Sequence, residues 1–289
     1  MVVVTVKKKS YKITKNIKDG LDKIQKKIIS NNDLFVCIVD GRSGTGKSTL
    51  ASQLAYYCTN GRLSYNDYIY TYEQFNNWID SCQPGDHMIL DESFEIANKR
   101  NSRSEDNFKI LSKLQKIRAK KVAVWLLLPS FYDLDKNIIL NLADWLLHCW
   151  RKDFGPRGNF NAYKRNRFKL LWLKGRQNLS YEEKIIRPNL SKCSFSKLFP
   201  LDYQTYELRK YESFEENIIK SKKELRLEKN MRLWRERAVL SIKYAQKNGI
   251  KYTDIANHLG ITTTLLYNWT KQSKQEEWLD DGKSAQNGT

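Results

Sequence analysis

Nine consecutive residues, Gly41-Arg42-Ser43-Gly44-Thr45-Gly46-Lys47-Ser48-Thr49, fit the phosphate-binding pattern GxxxxGK[ST] at every required position. The residue types say what chemistry this is. Glycines let the backbone curl until its N–H groups face phosphate oxygens. A helix that starts where the loop ends adds partial positive charge at the same spot. Lys47 is expected to reach the β and γ phosphates of a nucleotide, and the Ser48 hydroxyl to ligate Mg²⁺. The whole run 41–49 is the expected nucleotide contact. Further on, His87-Met88-Ile89-Leu90 leads into Asp91-Glu92. Downstream of a phosphate loop, an apolar strand ending in two acids reads as the metal and water end of the same site. Asp91 is expected to hold Mg²⁺, directly or through water. Glu92 is expected to orient or deprotonate the attacking water. An acid pair at a strand end can also be simple solvation or a helix cap, and the upstream loop selects the chemical reading.

These groups need a scaffold. Leu34 to Asp40 is an apolar run suited to a buried strand, and Ser48 to Tyr57 reads as a helix. Met1 to Val6 is β-branched and predicts a strand. From Ile13 to Ile29 the apolar residues Ile17, Leu21, Ile24 and Ile28 recur at helical spacing. Tyr65 to Thr71 predicts a strand, Tyr72 to Cys82 a helix, and Ser104 to Lys120 a basic helix with Phe108, Leu111, Leu114, Gln115 and Ile117 on its inner side. Lys121 to Leu128 predicts another buried strand, Asp133 to Asp135 the cap of a short helix through Asn141, and Trp145 to Trp150 a further strand. Alternating strands and helices imply a parallel sheet covered on both faces. Placing the Tyr65–Thr71 strand between the loop strand and the acidic strand in space would give a RecA-like core.

Beyond Arg151 the texture changes. Phe160 to Trp172 mixes aromatic and basic residues, which suits either strands that hold a nucleic-acid backbone and stack on bases or an exposed hairpin with one packed aromatic side. Glu207 to Glu236 predicts a highly charged connector helix. Tyr252 to Ile261, followed by Thr262 to Trp269, reads as a helix-turn-helix. Ile255, Leu259, Ile261, Leu266 and Trp269 fall at buried positions, Ala256 is small at the crossing, and Gly260 supplies the left-handed turn. Thr253 is the expected cap of the first helix and Thr262 or Thr263 of the second. A helix from Trp234 to Lys247, with Ala238, Ile242 and Ala245 inward, would complete a three-helix unit. Thr264, Tyr267, Asn268 and Lys271 would then face a DNA major groove, although such modules also mediate protein contacts. The expected architecture is therefore α/β: a RecA-like P-loop NTPase core with a mostly parallel sheet, a small basic β/α extension, and an all-α helix-turn-helix domain. Its divisions fall at 1–32, 33–152, 153–206, 207–232, 233–275 and a flexible tail, 276–289.

Across 289 residues the net charge is +19, which points to a polyanionic partner such as nucleic acid, or to a well-solvated basic surface. Five scattered cysteines form no CxxC pair, so neither a zinc site nor a disulfide framework is indicated. No apolar run approaches the ~20 residues of a membrane span, and the expected location is the cytoplasm, a host's if the chain is viral. No guanine-selecting Asn-Lys-x-Asp occurs, which favours ATP over GTP.

The loop GRSGTGKST, the strand HMILDES and the stretch Lys121 to Trp150 resemble P-loop ATPases of the additional-strand catalytic-glutamate class. The order of strand, polar end, short helix and strand resembles the FtsK/HerA DNA translocases and viral genome-packaging ATPases. More broadly, it resembles ATPases carried by viruses, proviruses and plasmids. The resemblance covers roughly residues 34–150. It implies ATP hydrolysis coupled to work on double-stranded DNA, often in a homo-oligomeric ring. Those translocases commonly carry a glutamine as γ-phosphate sensor after the fourth strand. Here Pro129-Ser130 stands there, which makes Ser130 the substitute sensor. Arg100, Arg103 and Arg118 are the candidates for an arginine finger acting on a neighbour's nucleotide. The C-terminal helix-turn-helix is closer to what replication initiators and helicase loaders of the AAA+ class carry. No acidic cluster of nuclease type follows residue 150. Motor, initiator switch and ATP-gated regulator are thus the expected roles in that order; a small-molecule kinase leaves the charge and the helix-turn-helix unexplained.

Overall fold

β3 (Phe35–Asp40) is buried along its whole length, because every residue before its terminal aspartate is apolar and both faces of the sheet are covered. Its side chains alternate between two cores: Cys37 and Val39 face one, Val36 and Ile38 the other. This is seen in a computed structural model that describes residues 1–31, 33–91, 114, 117–152, 155, 158–182, 184–213, 215, 226, 230, 231, 234, 247–268 and 271. The chain divides into two compact units, Met1–Phe214 and Glu215–Thr289.

In the first unit the strands are β1 (Val2–Val6), β2 (Lys9–Ile13), β3, β4 (Tyr68–Ile69), β5 (His87–Leu90), β6 (Ala123–Leu128), β7 (Trp145–Trp150), β8 (Asn159–Lys164) and β9 (Leu190–Ser194). β1 and β2 form an antiparallel hairpin; residues 9–13 are thus strand, a stretch that the periodicity of 13–29 left unread. The other seven make one sheet in the order β4-β5-β6-β3-β7-β8-β9. β4, β5, β6, β3 and β7 are parallel, and β8 and β9 fold back antiparallel on the β7 edge. Residues 153–206 accordingly carry the same sheet onward instead of standing apart as an extension.

A strand does separate the loop strand from the acidic strand, but it is β6 and not the Tyr65–Thr71 stretch. That stretch is a short 3-10 turn, Tyr65–Asp67, followed by the two-residue edge strand β4. β6 suits the central place because it is continuously apolar and almost wholly buried. β4 suits the edge because polar Asn66 and Asp67 precede it.

Among the described residues the helices include α1 (Lys15–Ser30), α2 (Lys47–Cys58), α3 (Tyr72–Ser81), α4 (Arg165–Gly175) and, in the second unit, α5 (Tyr252–Leu259). α1 buries Ile17, Leu21 and Ile28 with Leu50 and Leu54 of α2 on one face of the sheet. α3 and α4 bury Phe75, Trp78, Phe168, Leu171 and Trp172 on the other. Each fully buried large apolar side chain contributes about 1.5–3 kcal/mol. Thr71 and Gln74 cap α3 reciprocally, at 3.2 Å in both directions.

Phe160 to Trp172 is not a pair of basic, aromatic strands. It is β8 followed directly by α4, and the spacing of Phe168, Leu171, Trp172 and Gly175 is a helical stripe that buries all four. Phe160 and Tyr163 are buried as well, so these aromatics are core, while Lys164, Arg165 and Arg167 stay exposed. Of the basic helix expected at 104–120, Leu114 and Ile117 are buried, and Ile117–Lys120 forms a 3-10 turn; the rest lies outside the described residues. So does most of the connector expected at 207–236, although 203–213 is helical.

In the second unit α5 ends at Gly260, whose φ of +65° is the left-handed value that glycine takes most readily. Residues 263–268 are helical again. Ile255, Ala256 and Leu266 form a small core with Tyr252 and Ile261 against it. Thr262 caps the second helix by accepting from the Leu265 N–H at 3.3 Å. Thr253 caps nothing: α5 begins after Lys251, without a side-chain cap, and the Thr253 hydroxyl turns to Asp254. Trp269, the side chain of Leu259, and most of 234–247 lie outside the described residues.

Candidate active site

The glycine loop leaves the C-terminal end of β3 and runs straight into α2. Gly41, Gly44 and Gly46 have φ of +139°, +76° and +98°, which turns successive N–H groups to one side. Gly41 has a second requirement. A Cβ there would stand 2.2 Å from the Cys149 carbonyl oxygen of β7, so only glycine lets the neighbouring strand lie this close. The Thr45 hydroxyl closes the loop onto the Arg42 carbonyl at 2.8 Å. Lys47 Nζ donates to the Gly41 carbonyl at 2.7 Å and to that of Arg42 at 3.3 Å, and the residue is 6% exposed. Arg42 and Ser43 are exposed at the loop tip. Arg151, just past β7, brings its guanidinium to 3.9 Å from where a Gly44 Cβ would be, placing a further positive charge over the loop.

Asp91 follows β5 and is 2% exposed. Two side chains take its two oxygens: the Tyr206 hydroxyl donates to Oδ2 at 2.5 Å, and Lys210 Nζ bonds Oδ1 at 2.9 Å. The Ser48 side chain lies near the same phenol and acts on its proton affinity. The loop serine and the strand aspartate therefore converge on one phenol. Burial, and then the Asp91 charge, push the Tyr206 pKa well up, which keeps the phenol protonated and donating. The segment is held at its start and along its first turn. Asp202 caps it by accepting from the Thr205 N–H and hydroxyl at 2.8 and 2.7 Å. Tyr206 packs on Tyr68 and Phe199 with ring centroids 5.2 and 4.8 Å apart. As a donor set, a serine hydroxyl and a carboxylate within reach of one phenol fit a hard, oxygen-seeking cation such as Mg²⁺.

A second network pins the loop to its neighbours. Asp40, fully buried, accepts from Tyr181 Oη at 2.5 Å and from the Phe131 N–H at 3.0 Å on one oxygen, and bonds His148 Nδ1 at 2.9 Å with the other. His148 stacks on Tyr181, ring centroids 3.8 Å apart. Ser130, at the end of β6, bonds the same Tyr181 hydroxyl at 3.2 Å and caps the following turn. Burial, then the Asp40 charge, raise the Tyr181 pKa far above that of a free phenol.

Of the expected site residues, 41–49, Asp91 and Ser130 thus gather at the C-terminal ends of β3, β5 and β6. Arg118 does not join them: it precedes β6, pairs with Asp33 at 3.4 Å, and lies at the other end of the strands, roughly 20 Å away along a six-residue strand. Glu92, Arg100 and Arg103 lie outside the described residues. In the second unit Thr264, Tyr267, Asn268 and Lys271 are all exposed. The sequence reading passed over Asp40, His148, Arg151, Tyr181, Tyr206 and Lys210. Only Asp40 carried a signal, an acid closing an otherwise apolar strand; the others come from distant parts of the chain.

No protein-family model and no curated protein matches the sequence. One solved structure that part of the chain resembles is the genome-packaging NTPase B204 from Sulfolobus turreted icosahedral virus 2, in complex with ATP-γ-S. The two are 14% identical over 47% of this chain and 94% of that one, with a TM-score of 0.34. At that level of similarity the site itself has to carry the functional argument.

Proposed function

We propose that the chain is a Mg²⁺-dependent ATPase whose hydrolysis drives work on double-stranded DNA, as a translocating or packaging motor that assembles as a homo-oligomeric ring. The observation that carries the reading is the convergence of Ser48 and Asp91 on Tyr206. Oxygen donors from a phosphate loop and from an acidic strand near one phenol are what a triphosphate's metal would need. Ser48 and Asp91 would hold that metal, which when bound neutralises charge on the β and γ phosphates. The residues of the chain do the rest. The loop N–H groups and Lys47 grip the phosphates, and Glu92, next in sequence to Asp91, is the base for the attacking water. Ser130, bonded to Tyr181 and through it to Asp40, would report on the γ phosphate. In the second unit Thr264, Tyr267, Asn268 and Lys271 are the DNA-facing set, with the net charge of +19 available for phosphate contacts.

An assembly switch, as in an initiator or helicase loader, uses the same site and is favoured by the exposed helical pair around Gly260. ATPase rates with double-stranded, single-stranded and no DNA, taken with a mass measurement, separate the two. Stimulation by any duplex together with a ring supports the motor. A rate indifferent to DNA, with a footprint on one defined sequence, supports the switch. No hydrolysis under any condition rejects both.

A further inference from the structure

Tyr206 and Lys210 stand four residues apart on the helical segment 203–213, one above the other on the same face. Between them they occupy both oxygens of Asp91. A carboxylate this buried needs a compensating charge, and Lys210, 24% exposed at its side chain, supplies it. The groups so engaged are the ones a metal would use. Asp91 Oδ1 carries the ammonium, and the phenol holds Asp91 Oδ2 with the Ser48 side chain nearby. A divalent cation has twice the charge of an ammonium and seeks the same hard oxygens.

We infer that Lys210 and the metal of the incoming nucleotide compete for Asp91, so that loading the site frees the 203–213 segment. The inference rests on the reading of Ser48 and Asp91 as the metal-holding pair. Once Lys210 is displaced, the segment keeps its Asp202 cap and its aromatic anchor at Tyr68 and Phe199. Release is therefore expected beyond that anchor, from Glu207 to Ser213. That end passes directly into the chain of the second unit, which begins at Glu215. Metal–nucleotide binding would thus reach the second unit through a broken ion pair.

The test uses the full chain and its Lys210→Met variant. Binding of ATP-γ-S is titrated against Mg²⁺, and backbone hydrogen exchange over 203–213 is followed with ATP-γ-S plus either Mg²⁺ or EDTA. In Lys210→Met the half-saturating Mg²⁺ should fall by roughly three- to tenfold, the value of a part-buried ion pair removed from the competition. In the unaltered protein, exchange from 207 to 213 should quicken with Mg²⁺ and ATP-γ-S but not with ATP-γ-S and EDTA. An unchanged or higher Mg²⁺ requirement would make Lys210 a bystander or a phosphate ligand, and overturn the inference while the nucleotide site stands. Exchange indifferent to the metal would overturn it too, and this arm decides the matter if the variant does not fold. Failure of the unaltered protein to bind ATP-γ-S at all overturns the nucleotide reading itself.

Discussion

The Tyr181 hydroxyl donates to Asp40 at 2.5 Å, joining residues 141 positions apart in sequence. Asp40 is the last residue before the glycine loop, and the same tyrosine meets Ser130. The two loops that would face a γ phosphate are therefore tied to one another through a phenol.

Removing that phenol should be costly. Tyr181→Phe leaves an oxygen of buried Asp40 short of a donor, a loss of about 1–3 kcal/mol. Urea denaturation would read it as a lower midpoint with unchanged slope. The ATPase rate should fall as well, because the Ser130 loop loses its tie to the loop strand.

Lys47→Ala should weaken Mg·ATP binding by at least about tenfold, or 1.4 kcal/mol, with little change in stability. Equilibrium titration with a fluorescent ATP analogue measures it. Nucleotide affinity equal to that of the unaltered chain would remove the central claim about the loop.

At Gly41 the expectation concerns folding. An alanine Cβ would overlap the Cys149 carbonyl at 2.2 Å and sit at a φ of +139°. Gly41→Ala should therefore cost several kcal/mol, with β3 and β7 forced apart. Thermal unfolding compared with Gly249→Ala makes the contrast: Gly249 also has positive φ, but nothing stands within 4 Å of its Cβ position.

His87 sets a pH limit on stability. Its Nδ1 accepts from Trp125 Nε1 at 3.0 Å and its Nε2 meets Gln25 Oε1 at 2.9 Å. Burial, helped by Arg62, lowers its pKa from 6.5 to about 3. Between those values the unfolded chain takes up a proton that the folded chain refuses. Stability should thus fall with falling pH, by about 1.4 kcal/mol per unit below pH 6.5. His87→Gln should flatten that part of the curve while lowering stability at pH 7, as melting temperatures from pH 4.5 to 7.5 would show.

Replacing Thr264, Tyr267, Asn268 and Lys271 together by alanine should weaken duplex DNA binding and leave nucleotide binding alone. Removing Lys271 by itself should reduce the slope of log K against log salt by about one. Fluorescence anisotropy from 50 to 300 mM salt tests this. DNA affinity unaltered in the fourfold variant would reassign the second unit to protein contacts.

The phosphate loop, the acidic strand and most of the parallel sheet were legible because each is written in consecutive residues. The loop has fixed spacing, and β3, β5 and β6 each carry a run of consecutive apolar residues that marks a buried strand. What failed was either spatial or disguised. Strand order depends on which apolar run can afford the centre of the sheet, and β6 outranks the polar-flanked β4. In α4 the alternation of aromatic and basic residues hid a helical stripe at 168, 171, 172 and 175. Tyr206, Lys210 and Tyr181 carry no motif. They matter only because an aspartate from elsewhere in the chain lies within a hydrogen bond of each.

The place of β6 has a consequence of scale. Strands in a sheet lie about 4.8 Å apart, so one inserted strand sets the loop strand and the acidic strand roughly 9.6 Å apart. Were β5 to pair with β3 directly, Asp91 would follow a strand about 4.8 Å closer to the one that carries the loop. With β6 between them, the turn that leaves β6 through Ser130 follows the strand that lies between those of the glycine loop and Asp91. The spacing between the strand of the loop and the strand of the aspartate is thus set by backbone pairing, and no single side chain can change it.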